Sequence, residues 1–154
     1  MTKRLNLILA IILLLSSYSC VRAQDEEKHI ISMLQEFYVA YNTVSANCGL
    51  NVLETKLDSL QQKYCSQKFR KELKKFYAIH GLDHDILIND VYTEDIENLK
   101  ISVTKDEKRE STYSVSYFAV VTGMGNKKTN EKVQIIVTVV KEDGIYKIDN
   151  VLDD

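Results

Sequence analysis

The densest set of side chains able to do chemistry is His80, Asp83, His84, Asp85, Asn89 and Asp90. Imidazoles and carboxylates this close together are metal ligands or acid–base pairs, and an asparagine can add an amide oxygen. His80 and His84 would share one face of a helix that ran through both, but Gly81 between them favours a break. Asp83-x-Asp85 opens like a calcium loop, yet Leu87 stands at a ligand position and the glycine needed for the sharp turn is missing. The pattern reads as a polar loop whose Asp and Asn side chains cap nearby backbone groups. His84, Asp85 and Asp90 are its residues placed to touch a ligand. No metal and no cofactor is expected.

Other chemistries have less to work with. Hydrolysis by a nucleophile needs a base beside it and a third group to orient that base. His29 stands at the start of a helical pattern, and no serine or cysteine carries a G-x-S-x-G or Cys/His signature. Asp95 and Glu97 form a carboxylate pair that fits polar surface. Tyr38, Tyr41, Tyr64, Tyr77, Tyr113 and Tyr117 read as core residues; Tyr113 and Tyr117 lie on strand patterns and offer hydroxyls to a pocket between helices and sheet.

The chain has 3 cysteines. Cys48 and Cys65 would sit in an oxidising compartment if the chain is exported, and a disulfide closing that loop would stabilise by about 3 kcal/mol. A straight helix across 51–64 would hold its ends roughly 20 Å apart, whereas a disulfide needs Cα atoms within about 7 Å. The pairing stays open on the sequence. The two are too far apart for a C-x-x-C redox motif.

The N-terminus reads as an export signal over residues 1–23. Lys3 and Arg4 precede an apolar run from Leu5 to Leu15, and Val21-Arg22-Ala23 offers small residues for cleavage before Gln24. The run is shorter than the roughly 20 residues that span a bilayer. Ser17-Tyr18-Ser19-Cys20 provides an alternative, acylation of Cys20 as in a bacterial lipoprotein, although Tyr18 is bulky for that motif. Residues 24–154 are then one domain, periplasmic or secreted, or membrane-anchored if Cys20 is lipidated.

Charge narrows the partners. The chain carries 20 Lys and Arg against 22 Asp and Glu. The signal would remove Lys3, Arg4 and Arg22 but no acid, leaving the domain more acidic. Such a surface has little attraction for phosphate backbones, so nucleic acid is not expected as a partner.

The elements that position these groups fall in a clear order. Ile30, Met33, Leu34, Phe37, Tyr41 and Val44 share a helical face, predicting a helix from about Glu26 to Ser45. Asn51 with Glu54 resembles a capping box opening a second helix over 51–64, with Leu53, Leu57, Leu60 and Tyr64 as its apolar stripe. Ser66 caps a third helix, with Phe69, Leu73, Phe76 and Tyr77 inward and Gly81 as terminator. Its Lys68, Arg70, Lys71, Lys74 and Lys75 read as a solvated face, with an anionic partner or lipid headgroups as the alternative.

Strand signals follow. Leu99, Ile101 and Val103 alternate, then Tyr113 to Val121, then Val133 to Val139, and finally Ile145, Ile148 and Val151. Glu142-Asp143-Gly144 supplies a tight hairpin. Helices segregated from strands imply an α+β domain, with three N-terminal helices packed on a four-stranded antiparallel sheet.

Three stretches carry a family likeness. Leu57 to Ser66, the Asp83-to-Asp90 segment and Val139 to Ile148 resemble the domain of unknown function 3828, small exported proteins found largely in Bacteroidales. The resemblance spans most of residues 28–150 and implies a cystatin-like cone with a curved sheet, similar to nuclear transport factor 2. Members carry a proline and an Ala-Gln pair near the position of Ile86 to Asn89, which this chain lacks. No catalytic residues transfer.

The function expected is an exported, non-enzymatic binding or accessory domain for a small molecule or a protein. Two alternatives stand beside it. An immunity or inhibitor protein would display a large exposed patch. A small enzyme of the ketosteroid isomerase kind would hold an inward Asp or His in a dry pocket.

Overall fold

The computed structural model of the chain describes residues 2–81, 84–123 and 125–152, with the side chains of 2–23 and of Leu50 excepted. The chain divides into two compact units, Met1–Ser32 and Met33–Asp154. Helix α1 (Thr2–Asn47) supplies all of the first unit's regular structure and the opening element of the second. It begins far ahead of the expected start at Glu26. No glycine or proline precedes Gly49, and the polar run at 24–28 is rich in Gln, Glu and Lys, which continue a helix well. The expected cleavage after Ala23 and acylation of Cys20 fall outside the described side chains. Among the described residues no helix is long and apolar enough to cross a membrane.

Within Met33–Asp154, α2 (Leu50–Tyr64) and α3 (Gln67–His80) follow α1. The expected capping box at Asn51 and Glu54 does not form. Gly49 is the N-cap, in extended conformation and without a side-chain cap, and its carbonyl accepts from the amides of Val52 at 3.0 Å and Leu53 at 3.1 Å. Asn51 is thus already inside the first turn. Ser66 caps α3 as expected, its hydroxyl accepting from the Phe69 amide at 3.1 Å. Gly81 ends that helix at a φ of 78°, a conformation in which glycine meets no Cβ penalty.

Four antiparallel strands form a meander in the order β1 (Ser102–Lys105), β2 (Thr112–Thr122), β3 (Lys128–Glu142) and β4 (Ile145–Leu152), and the sheet is open. The architecture is α+β, three helices followed by this sheet. The first strand is shorter than the alternation at Leu99 and Ile101 suggests. Leu99 turns back, donating to the Ile96 carbonyl at 3.2 Å, and the Ile101 carbonyl is taken by the Gln35 side chain at 3.2 Å. Both groups are therefore lost to strand pairing. Strands β2 and β3 pair beyond the alternation that ends at Val121 and resumes at Val133, as far as Thr122 opposite Lys128.

One sheet face is apolar. Tyr113, Val115, Tyr117 and Ala119 of β2 are buried there, with Val133, Ile135, Val137 and Val139 of β3 and Ile148 of β4. Ile136 is buried on the other face, opposite Leu152. The β3–β4 turn has Asp143 at φ 51° and Gly144 at φ 82°, the two positive angles that its Asp-Gly sequence predicts.

An irregularity ties the sheet to the helices. Thr138 pairs with Asn150 but Val139 with Ile148, so Asp149 has no opposite residue. A bulge of this kind re-aims a side chain. Here the Asp149 carboxylate accepts from the Ser66 hydroxyl at 2.6 Å, and the Ser66 amide donates to the Ile148 carbonyl at 2.8 Å.

Candidate functional site

The loop between α3 and the sheet turns one of its acids inward. Asp85 is 4% exposed. Its carboxylate caps the loop's own backbone, Oδ1 accepting from the Leu87 amide at 3.0 Å, and its carbonyl accepts from the amides of Ile88 at 3.2 Å and Asp90 at 3.0 Å. Asp90 closes the turn from the other side by accepting from the Asp85 amide. Asn89 and Asp90 adopt φ of 52° and 57°, angles that short polar side chains tolerate better than most. Leu87 and Ile88 are fully buried and anchor the loop. The polar, backbone-capping loop expected from the sequence is the one observed.

Two tyrosines converge on Asp85. The Tyr41 hydroxyl, from α1, donates to Oδ2 at 2.8 Å. The Tyr77 hydroxyl, from α3, donates to Oδ1 at 3.2 Å. Burial raises the Asp85 pKa above its ordinary 3.8 and the nearby Asp90 charge adds to this, while the donors from Tyr41, Leu87 and Tyr77 hold it back. Burial pushes both phenols above 10.0, reinforced by the Asp85 charge. They therefore stay protonated and act as donors.

Asp85, Tyr41 and Tyr77 line a cleft of about 670 Å³ between α2 and α3. On α2 it is faced by Leu53, Leu57 and Gln61, at helical spacings of four, and by Glu54 and Asp58 one position along. On α3 Lys74, Tyr77 and Ala78 share one face, and Tyr92 adds an aromatic wall. Leu53 and Leu57, expected as core, are half-buried because they face this opening. Only the inner end of that stripe, Tyr64, is fully packed. Lys74 and Asp58 meet across the cleft at 3.6 Å, both substantially exposed.

The residues expected to touch a ligand separate. His84 is exposed, with Nδ1 at 3.2 Å from the Asp90 carboxylate. Both stand near Asp85 in the chain, yet only Asp85 lines the cleft. Tyr113 and Tyr117 are buried on the apolar sheet face and do not line it. Burial pushes the Tyr117 phenol up to about 12. Its hydroxyl comes near the Asn42 amide, and the hydroxyls of Tyr38 and Tyr117 and the Asn42 carbonyl oxygen make no hydrogen bond. The helical periodicity marks Tyr41 and Tyr77 as core alone. Nothing local gives away their second role, because they meet Asp85 from 44 and 8 residues away.

Among the described residues no group of three or more His, Cys, Asp or Glu is arranged to hold a metal; Asp83 lies outside them. His80 and His84 have ring centroids 6.2 Å apart, with α3 ending between them at Gly81. Cys48 and Cys65 are free thiols at opposite ends of the 15-residue α2, and the disulfide left open by the sequence is not formed. The helix between them is unbroken, so the chain does not double back to bring them together. On α3, Lys68 and Lys74 are engaged with Asp149 and Asp58.

No family model and no curated protein matches the chain. A solved structure, a protein of unknown function from Bacteroides thetaiotaomicron, is similar to it in fold. The TM-score is 0.67 at 24% sequence identity, over 90% of this chain and 99% of that one.

Proposed function

We propose that the chain is a binding domain, not an enzyme, whose ligand is a small molecule held in the α2–α3 cleft. The observation that carries this is the buried carboxylate of Asp85 lining a cleft in which aromatic and aliphatic walls meet a few polar and charged side chains. A cleft of this size lies within the ~300–1,000 Å³ typical of small-ligand sites, where a few fixed polar groups set orientation. The hydroxyls of Tyr41 and Tyr77 are directed at Asp85 itself, which supports a fixed recognition group better than an acid–base pair waiting for substrate. The exposed large apolar residues, Val52, Ile79, Phe118 and Ile145 among them, are spread over separate elements. That distribution gives an inhibitor-type docking patch less support. Export by the first 23 residues would make the domain periplasmic or secreted.

A ligand-observed NMR screen of small molecules against the full chain tests the proposal. Ala78 lines the cleft from α3 without belonging to the buried core, so Ala78→Trp fills the opening and leaves the core intact. Hits that disappear with Ala78→Trp support the proposal. Hits that bind both proteins equally, or no hits, overturn it.

A further inference from the structure

Resting on that assignment of the cleft, we propose that its ligand is an organic cation, an ammonium group on an aromatic or aliphatic body, with Asp85 as the counter-charge. The side chains that line the cleft carry three acids, Glu54, Asp58 and Asp85, against the single base Lys74. Lys74 is already engaged with Asp58. The deepest acid receives only neutral donors, two phenols and a backbone amide. A carboxylate taken out of water gains most from a partner of full opposite charge.

The hydrogen-bond count leaves such a partner an unfilled acceptor position. Oδ1 accepts two hydrogen bonds, from Tyr77 and Leu87, while Oδ2 accepts one, from Tyr41. A carboxylate oxygen has two lone pairs, so Oδ2 can take one more donor. An ammonium group supplies that donor together with the charge. The surroundings suit it as well. Tyr41, Tyr77 and Tyr92 line the same cleft, and aromatic rings attract cations through their faces. Leu53 and Leu57 offer surface for the ligand's apolar body. A carboxylate ligand would meet repulsion from all three acids, and a neutral one would leave the charge of Asp85 uncompensated.

Three probes of one shape separate the alternatives: 2-phenylethylamine, 2-phenylethanol and 3-phenylpropionate, each titrated into the full ¹⁵N-labelled chain and followed by amide shifts. The expected result is that the amine shifts the amides of cleft residues on α2, α3 and the 84–90 loop. It should bind about tenfold to a hundredfold more tightly than the alcohol, the range for a charge-assisted hydrogen bond. Asp85→Asn should abolish that preference. Should Asp85→Asn fail to fold, Glu54→Gln at the exposed mouth should reduce the amine's affinity without changing the alcohol's. Equal binding of amine and alcohol in the cleft, or preference for the carboxylate, overturns the cation assignment and leaves the cleft reading standing. Failure of all three probes overturns the cation assignment, and failure of the wider screen as well overturns both.

Discussion

Tyr41 and Tyr117 allow one substitution, Tyr→Phe, to be made at two buried positions with opposite expected outcomes. Both rings are almost wholly buried. The Tyr41 hydroxyl donates to the Asp85 carboxylate at 2.8 Å, while that of Tyr117 makes no hydrogen bond. A hydrogen bond to a charged group contributes about 1.5–3 kcal/mol, and its removal strands a buried acceptor. Tyr41→Phe should therefore destabilise by about 2–3 kcal/mol near neutral pH. Tyr117→Phe deletes a buried hydroxyl that has only the Asn42 side chain nearby and makes no well-formed hydrogen bond, and so removes part of a desolvation cost of about 1–3 kcal/mol. Its stability should be unchanged or higher by up to about 1 kcal/mol.

Urea unfolding followed by far-ultraviolet circular dichroism reads both, and it does not depend on the tyrosines' own fluorescence. With slopes of about 1–3 kcal/mol per molar urea, the two midpoints should differ by about 1–2 M at unchanged slope. The pH dependence adds a second check. The folded-state pKa of Asp85 lies above 3.8, so between the unfolded and folded values the native state holds a proton that the unfolded chain has lost. The stability associated with that proton is present below the unfolded value and is lost as pH rises through the folded one. Removing the Tyr41 donor raises the folded value further, so the Tyr41→Phe penalty should grow with pH and shrink in acid. Equal effects of the two substitutions, or a Tyr41→Phe penalty independent of pH, would refute the assignment of Tyr41 as a donor to a buried carboxylate.

Three further outcomes follow from the packing. Ser66→Ala loses both the cap on the Phe69 amide and the bond to Asp149 at the bulge; it should cost about 1–2 kcal/mol in urea unfolding. A methyl group added at Gly144 would meet open space, but the backbone there has a φ of 82°. Gly144→Ala should therefore cost about 1 kcal/mol through the backbone alone, measured the same way. Burial pushes the Cys65 thiol up to about 12, with Arg70 and Lys147 opposing. Peptide mapping after iodoacetamide should find Cys48 alkylated in the native protein and Cys65 alkylated only in denaturant.

Much of the scaffold was legible because it rests on local rules. Alternating apolar residues mark β2 and β3, and Asp143-Gly144 marks the turn that joins β3 to β4. Ser66 and Gly81 bracket α3 by the chemistry of their own side chains and backbone. Local rules misled where a neighbour changed the terms. Gly49 displaced Asn51 as the cap of α2, and Gln35 took the Ile101 carbonyl that a longer β1 would have used.

The candidate site divides along the same line. The sequence by itself determined that Asp85 lies in a polar, backbone-capping loop after α3, since the capping acids and the residues they cap are within a few positions of each other. Only the tertiary structure decided that Asp85, and neither His84 nor Asp90, faces inward, and that Tyr41 and Tyr77 meet it. Those contacts join α1, α3 and the loop, and the orientation of a side chain across such distances is set by how whole elements pack. Periodicity records which face of a helix is apolar; it does not record whether that face meets a filled core or, as with Leu53 and Leu57, an open cleft.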